Sequence, residues 1–167
     1  MRTTKTSKIN LAEAINIIRK LQDGGPPIML VPIAEKLGLK VKKHKGWSNN
    51  ISGKLVRDDT APAGFTIYSN ADHPAQQRRY TVAHHIAHFL LHSDKIDKFI
   101  LEDTIGRGGL NIDEEAEANA LALFILMPSF LLNKEIESGK DSIPELADIF
   151  KVSQTAMALR LGVPNEV

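Results

Sequence analysis

The stretch Arg78-Arg79-Tyr80-Thr81-Val82-Ala83-His84-His85-Ile86-Ala87-His88-Phe89-Leu90-Leu91-His92 sets His84, His88 and His92 at intervals of four. On a helix, residues four apart lie one turn from each other on the same face. Tyr80, Val82, Ala83, Ile86, Ala87, Phe89, Leu90 and Leu91 make this helix apolar nearly all round, which predicts burial. Burying several imidazoles costs free energy unless each finds a partner, and a metal ion is an efficient one. His84 and His88 are therefore candidate metal ligands.

Working outward, the spacing predicts a helix over about 74–93, with Pro74 in its first turn and Asp72 as its cap. Toward the N-terminus, Asn10 with Glu13 resembles a capping box. Leu11, Ala14, Ile15 and Ile18 supply an apolar face, and residues 23–27 (Asp-Gly-Gly-Pro-Pro) break the helix. A second helix is expected over 28–38, then strands over 39–44, 51–57 and 64–69, whose short connections favour an antiparallel meander. Toward the C-terminus, residues 106–109 read as a loop. Asn111 with Glu114 opens a helix that runs to Met127, before Pro128 interrupts. Ser142 with Glu145, and Ser153, open two short helices, the second ending near Gly162. No repeat or linker divides the chain. The expectation is one α+β domain over 1–167, mostly helical around a small three-stranded, mainly antiparallel sheet, with a small helical C-terminal segment over 142–163.

A hydrophobic fraction of 43% and a charged fraction of 25% are ordinary for a soluble globular protein. Twenty-one basic against twenty acidic residues leave a net charge of +1, so no global field favours nucleic acid or an anionic membrane. Cysteine is absent, which excludes disulfides, thiol catalysis and cysteine-ligated metal, and suits a reducing compartment. No signal-type stretch follows the N-terminus, and the longest apolar run is about half a membrane span. A soluble cytoplasmic protein, with no membrane partner, is expected.

A hydrolytic zinc usually takes three protein ligands and keeps a fourth position open. His84 and His88 supply two, in the spacing of the His-Glu-x-x-His motif of zinc peptidases, except that His85 stands where the glutamate belongs. The third ligand should be an acid from another element. Residues 113–119 (Asp-Glu-Glu-Ala-Glu-Ala-Asn) open the next apolar helix with four carboxylates. Glu114 has a capping task and Asp113 suits the helix dipole. Glu115 shares a face with Asn119, whose amide could hydrogen-bond a ligand histidine. Glu115 is therefore preferred, with Glu117 and Glu114 as the alternatives. His92 lies about 12 Å along the axis from His84, too far to share one ion, and a supporting role suits it better. His44 and His73 are expected at the surface.

With these residues in view, the chain resembles the ImmA/IrrE family of zinc metallo-endopeptidases. The resemblance rests on residues 78–92, on Glu115-Ala116-Glu117-Ala118-Asn119 and on Leu126-Met127-Pro128. It extends more weakly to Ile51-Ser52-Gly53 and to residues 156–162. It implies a zincin-like fold, zinc as cofactor, and His84, His88 and Glu115 as its ligands. It also implies a protein partner or substrate: a helix-turn-helix regulator in a stress response or mobile-element control, or an antitoxin.

The family's catalytic glutamate falls on His85. That glutamate takes the attacking water's proton and passes it to the leaving amine, and its loss typically costs about 10²–10⁴ in rate. Impaired peptidase activity, or a toxin or protein-binding module without catalysis, is the implied outcome. Imidazole can also accept a proton, so a working base at His85 stays open. Two further expectations concern partners. Residues 142–161 have helix-turn-helix spacing, but Lys151 and Arg160 are too few for phosphate contacts, so no direct nucleic-acid binding is expected. An extended peptide could add at a sheet edge near residues 64–69.

Overall fold

The computed structural model describes residues 9–22, 24–103 and 110–164, the side chains at 101 and 103 excepted. Helix α1 (Leu11–Leu21) starts where Asn10 and Glu13 cap each other reciprocally, and it buries Ala14 and Ile18. Helix α2 (Leu30–Lys36) is shorter than its apolar pattern suggests, since Gly38 takes the positive φ that ends it.

Strands β1 (Lys40–His44), β2 (Ile51–Arg57), β3 (Phe65–Asn70) and β4 (Phe99–Asp103) form one sheet in the order β1-β3-β2-β4. The three expected strands are present, but the sheet has four, and β1 runs parallel to β3 rather than continuing a meander. Strands β2 and β3 pair antiparallel, as do β2 and β4. β3 is therefore interior, with a partner on each side. The free edge expected near residues 64–69 does not exist; the outer strands are β1 and β4. β1 carries its lysines on that edge, a charge that discourages edge-to-edge pairing. The β2–β4 register slips by one residue between Ile51 and Gly53, which makes Ser52 the extra residue of a bulge beside Glu102.

Helix α3 (Ala75–His92) packs on β2 and β3 with one side and on α4 (Ile112–Leu126) with another. Pro74, rather than Asp72, occupies its N-cap; Asp72 instead accepts a bond from the Gly46 amide at 3.4 Å. Ala83, Ala87, Ala118 and Ala122 are fully buried on the two helices, and side chains of this size permit close approach of the axes. Asn111 and Glu114 form the expected capping box at the start of α4. Pro128 does interrupt, but a further helix, α5 (Ser129–Glu137), restarts at once behind it. A proline suits a helix start, where its missing N–H is not needed. Helices α6 (Ile143–Phe150) and α7 (Gln154–Leu161) begin at Ser142 and Ser153 as expected, and Gly162 closes α7 with a left-handed φ of 67°. Phe150 and Met157 join the same buried cluster as Ile86 and Leu121. The expected loop over 106–109 lies outside the described residues. Among the described residues, no single helix is long and apolar enough to cross a membrane.

Candidate metal centre

His84 and His88 project from successive turns of α3 toward Glu115 in the first turn of α4. His84 Nε2 lies 3.2 Å from Glu115 Oε2, His88 Nε2 lies 3.2 Å from Glu115 Oε1, and the two Nε2 atoms are 3.0 Å apart. The three residues offer ligand atoms that all lie within 4.8 Å of one another. Adjacent ligands of a tetrahedral zinc, with bonds of about 2.05 Å, are about 3.3 Å apart, so these spacings fit such an ion closely. The donor set, two imidazoles and a carboxylate, is also one that zinc accepts in hydrolytic sites.

Charge is arranged to match. Burial opposes ionisation of Glu115, but the imidazoles of His84 and His88 beside it outweigh this and hold the carboxyl well below the usual range. Burial likewise opposes charging of His84, yet the Glu115 carboxylate wins and raises its pKa. At His88 burial prevails over Glu115, assisted by repulsion from His84, and its pKa falls. A cation between these three side chains would meet the charge of Glu115 and accept a lone pair from each imidazole.

Glu114 is not part of this cluster. Its carboxylate caps α4 and pairs with Lys95. Glu117 is also turned away from His84 and meets His92 instead, Oε2 to Nε2 at 3.1 Å. His92 Nδ1 stands 3.0 Å from His88 Nδ1, so the third histidine of the row touches the second without reaching the cluster itself. Asn119 Oδ1 accepts the Tyr80 hydroxyl at 2.8 Å, and the same side chain also supports the charged form of His84, as its place one turn beyond Glu115 predicts. Burial, with Glu102 and Glu115 nearby, pushes that phenol's pKa upward. His44 is exposed and stacked on Trp47, but His73 is 3% exposed and lies 2.9 Å from the Asn49 carbonyl through Nε2, contrary to the surface position expected for it.

His85 points to the other side of α3, against β2. Its Nδ1 donates to the Thr81 carbonyl at 2.8 Å, which leaves Nε2 as a bare, buried nitrogen without a partner among the described residues. Burial, reinforced by the charge of His84, pushes its pKa down to about 3. Beside it stands a residue that the linear pattern does not reveal. Glu102 Oε2, on β4, is 3.6 Å from His85 Nδ1. Glu102 shares a face with buried Ile100, two residues earlier, and burial raises its pKa. The only local hint was the apolar run Phe99-Ile100-Leu101 ahead of an acid, a strand pattern too short to recognise without its partner β2.

The family model for the IrrE N-terminal-like domain (peptidase M78) matches residues 34–162, which include every residue of this cluster. No curated protein matches the chain.

Proposed function

Since the chain belongs to the IrrE N-terminal-like (peptidase M78) family of metallopeptidases, we propose that it holds zinc at His84, His88 and Glu115 and works on a protein partner. We infer that the partner is a helix-turn-helix regulator or antitoxin, engaged by binding, and that cleavage is impaired at His85. The convergence of two imidazoles and a carboxylate from neighbouring helices carries the metal assignment. A zinc ion held there would supply Lewis-acid polarisation of a peptide carbonyl and a more acidic water. The partner assignment rests on the family resemblance of residues 78–92 and 115–119. The setting is a cytoplasmic one, in stress response, mobile-element or toxin–antitoxin control.

His85 supports the impairment. A general base must reach the proton it removes with a free, basic lone pair. The His85 ring is 1% exposed, anchored to Thr81 through Nδ1 and walled in around Nε2. Its position therefore serves packing against β2 better than proton transfer. Strand β4 borders the site with its outer edge unpaired among the described residues, and an extended partner segment could align there by main-chain hydrogen bonds.

A second reading has one observation in its favour. Glu102 brings a buried carboxyl, beside Thr81, to within 3.6 Å of His85 Nδ1, where it could take over the missing base's task. Incubating the zinc-loaded protein and its His85→Glu and Glu102→Gln variants with a helix-turn-helix regulator, and mapping fragments by mass spectrometry, separates the two. Binding without cleavage by the wild type, and cleavage by His85→Glu, supports the first reading. Cleavage by the wild type that disappears in Glu102→Gln supports the second. Absence of zinc from protein prepared without added metal, together with no uptake on dialysis against zinc, overturns both.

A further inference from the structure

Glu117 and His92 form, we propose, a positioning relay that keeps the Nε2 lone pair of His88 free for the metal. The proposal rests on the assignment of His84, His88 and Glu115 as ligands. Three contacts lie in series: Glu117 Oε2 to His92 Nε2 at 3.1 Å, His92 Nδ1 to His88 Nδ1 at 3.0 Å, and His88 Nε2 to the ligand cluster.

The direction of the series follows from which atoms carry hydrogen. An ionised carboxylate only accepts, so His92 Nε2 must donate to Glu117. A neutral imidazole has one N–H, so His92 Nδ1 is then bare and accepts. His88 Nδ1 must therefore be the donor across the 3.0 Å contact, and His88 Nε2 is left with its lone pair. That nitrogen faces His84 and Glu115.

Glu117 matters because a second carboxylate pulls the other way. Glu115 Oε1, 3.2 Å from His88 Nε2, favours a proton on that nitrogen, where it would occupy the position a metal needs. The relay gives the proton a better place on Nδ1. Metal-ligating histidines commonly donate their second N–H to a carboxylate or carbonyl, which fixes ring orientation and tautomer. Here the acceptor is an imidazole, and the carboxylate stands one residue further out.

The arrangement also explains the spacing of both motifs. His92 is one turn beyond His88 on α3, and Glu117 is two residues beyond Glu115 on α4. Glu115 and Glu117 therefore leave α4 in different directions, Glu115 meeting His84 and His88 and Glu117 meeting His92 of the same row. His92 is 1% exposed, while the Glu117 side chain is 55% exposed, so the outer member can be changed without opening the core.

The test uses the full chain at pH 8, where free imidazoles are neutral. Zinc affinity is measured by competition with a chromogenic chelator for the wild type, Glu117→Ala and Glu117→Gln. The tautomer of His88 is read from ¹⁵N NMR of its ring in the zinc-loaded and metal-free proteins. The expected result is zinc binding about 10–100-fold weaker in Glu117→Ala. Glu117→Gln, whose amide oxygen still accepts from His92, stays close to the wild type. His88 carries its proton on Nδ1 in the wild type and loses that preference in the metal-free Glu117→Ala variant. Equal zinc affinity of the wild type and Glu117→Ala, or a His88 proton on Nε2 in the wild type, overturns the relay. Failure of the wild type to bind zinc, with the tautomer of His88 as stated, overturns the ligand assignment and leaves the relay standing.

Discussion

Gly53 on β2 lies directly against Thr81 on α3: a Cβ placed on Gly53 would come within 2.4 Å of Thr81 Cγ2. The same carbon would meet the Tyr68 carbonyl oxygen at 2.6 Å and His85 Cε1 at 3.3 Å. The missing side chain is what lets the histidine helix settle onto the sheet. Because the obstacle includes main chain, a small rotamer change cannot relieve it. Gly53→Ala should therefore destabilise the protein by about 3 kcal/mol. In a chain of this size that corresponds to a melting temperature lower by about 10 °C. Thermal unfolding of the two proteins followed by circular dichroism checks it, and an unchanged midpoint would mean that the helix is not seated on Gly53.

Zinc should stabilise the folded chain only through the intact cluster. Ligand that binds the native state alone contributes about 2.7 kcal/mol at a hundredfold excess over its dissociation constant. This raises the melting temperature by roughly 5–10 °C relative to the same sample in a chelator. Glu115→Ala should lose most of that difference. Its metal-free melting temperature should itself be lower than that of the wild type, because the Glu115 carboxylate partners the buried His84 and His88 rings and accepts from the Leu110 amide at 3.2 Å, so the zinc-dependent difference is the quantity compared. Calorimetry with zinc and with chelator measures both quantities. A zinc-dependent shift of undiminished size in Glu115→Ala would place the ion elsewhere.

What was legible in the linear chain was whatever depends on neighbours in sequence. Asn10 with Glu13, Asn111 with Glu114, Ser142 and Ser153 all cap the helices they announce, because a cap is closed within one turn. The facing of His84 and His88 is equally local. Glu115 was reachable by elimination, since Glu114 had a cap to make and Glu117 lay on another side of α4. The misses are long-range. β1 and β3 pair in parallel, although the chain between them visits β2, and no short-range pattern reports such a partner. β4 is five residues that become a strand because β2 offers an edge. Glu102 enters the site only through that pairing, assisted by the bulge at Ser52. The interior position of β3 has the same origin. His73 was misplaced because a histidine near a loop gives no sign of the distant Asn49 carbonyl that partners its buried ring.

Asp58 gives the fold a pH dependence of known sign. In the turn between β2 and β3 its carboxylate accepts from the Thr60 hydroxyl at 2.6 Å, the Thr66 hydroxyl at 2.6 Å and the Thr60 amide at 2.9 Å. The Thr60 hydroxyl, then Thr66, hold its pKa well below the ordinary carboxylate value, with Lys40 adding charge at 4.0 Å. A depressed folded-state pKa contributes stability that is fully present above the unfolded value, about 3.9, and is lost as pH falls through the folded value. Asp58→Asn should therefore have a lower urea midpoint than the wild type at pH 7, and the gap should narrow steadily below pH 4. A gap of equal size at pH 7 and pH 2 would mean that the charge of Asp58 contributes nothing.

The C-terminal helix pair offers the last prediction. Residues 142–161 have the outline of a nucleic-acid reader, with Lys151 and Arg160 as their cations. Both are already engaged. Lys151 Nζ bonds Asp148 at 2.8 Å, and Arg160 donates to the Met127 carbonyl at 3.0 Å and to Ser129 Oγ at 2.8 Å, with its guanidinium 6.0 Å from the centre of the Phe124 ring. Arg160 thus satisfies the end of α4 and the start of α5. Binding to a duplex needs several phosphate contacts, each weakened by salt, and no free set of cations is present on these two helices. The chain should elute from immobilised duplex DNA below about 150 mM salt, at the same position for wild type and Arg160→Ala. The same variant should lose about 1–2 kcal/mol of stability, because the Met127 carbonyl, belonging to a fully buried residue, forfeits its donor. Salt-sensitive retention that Arg160→Ala abolishes, with stability unchanged, would reverse the assignment of Arg160 from fold to recognition.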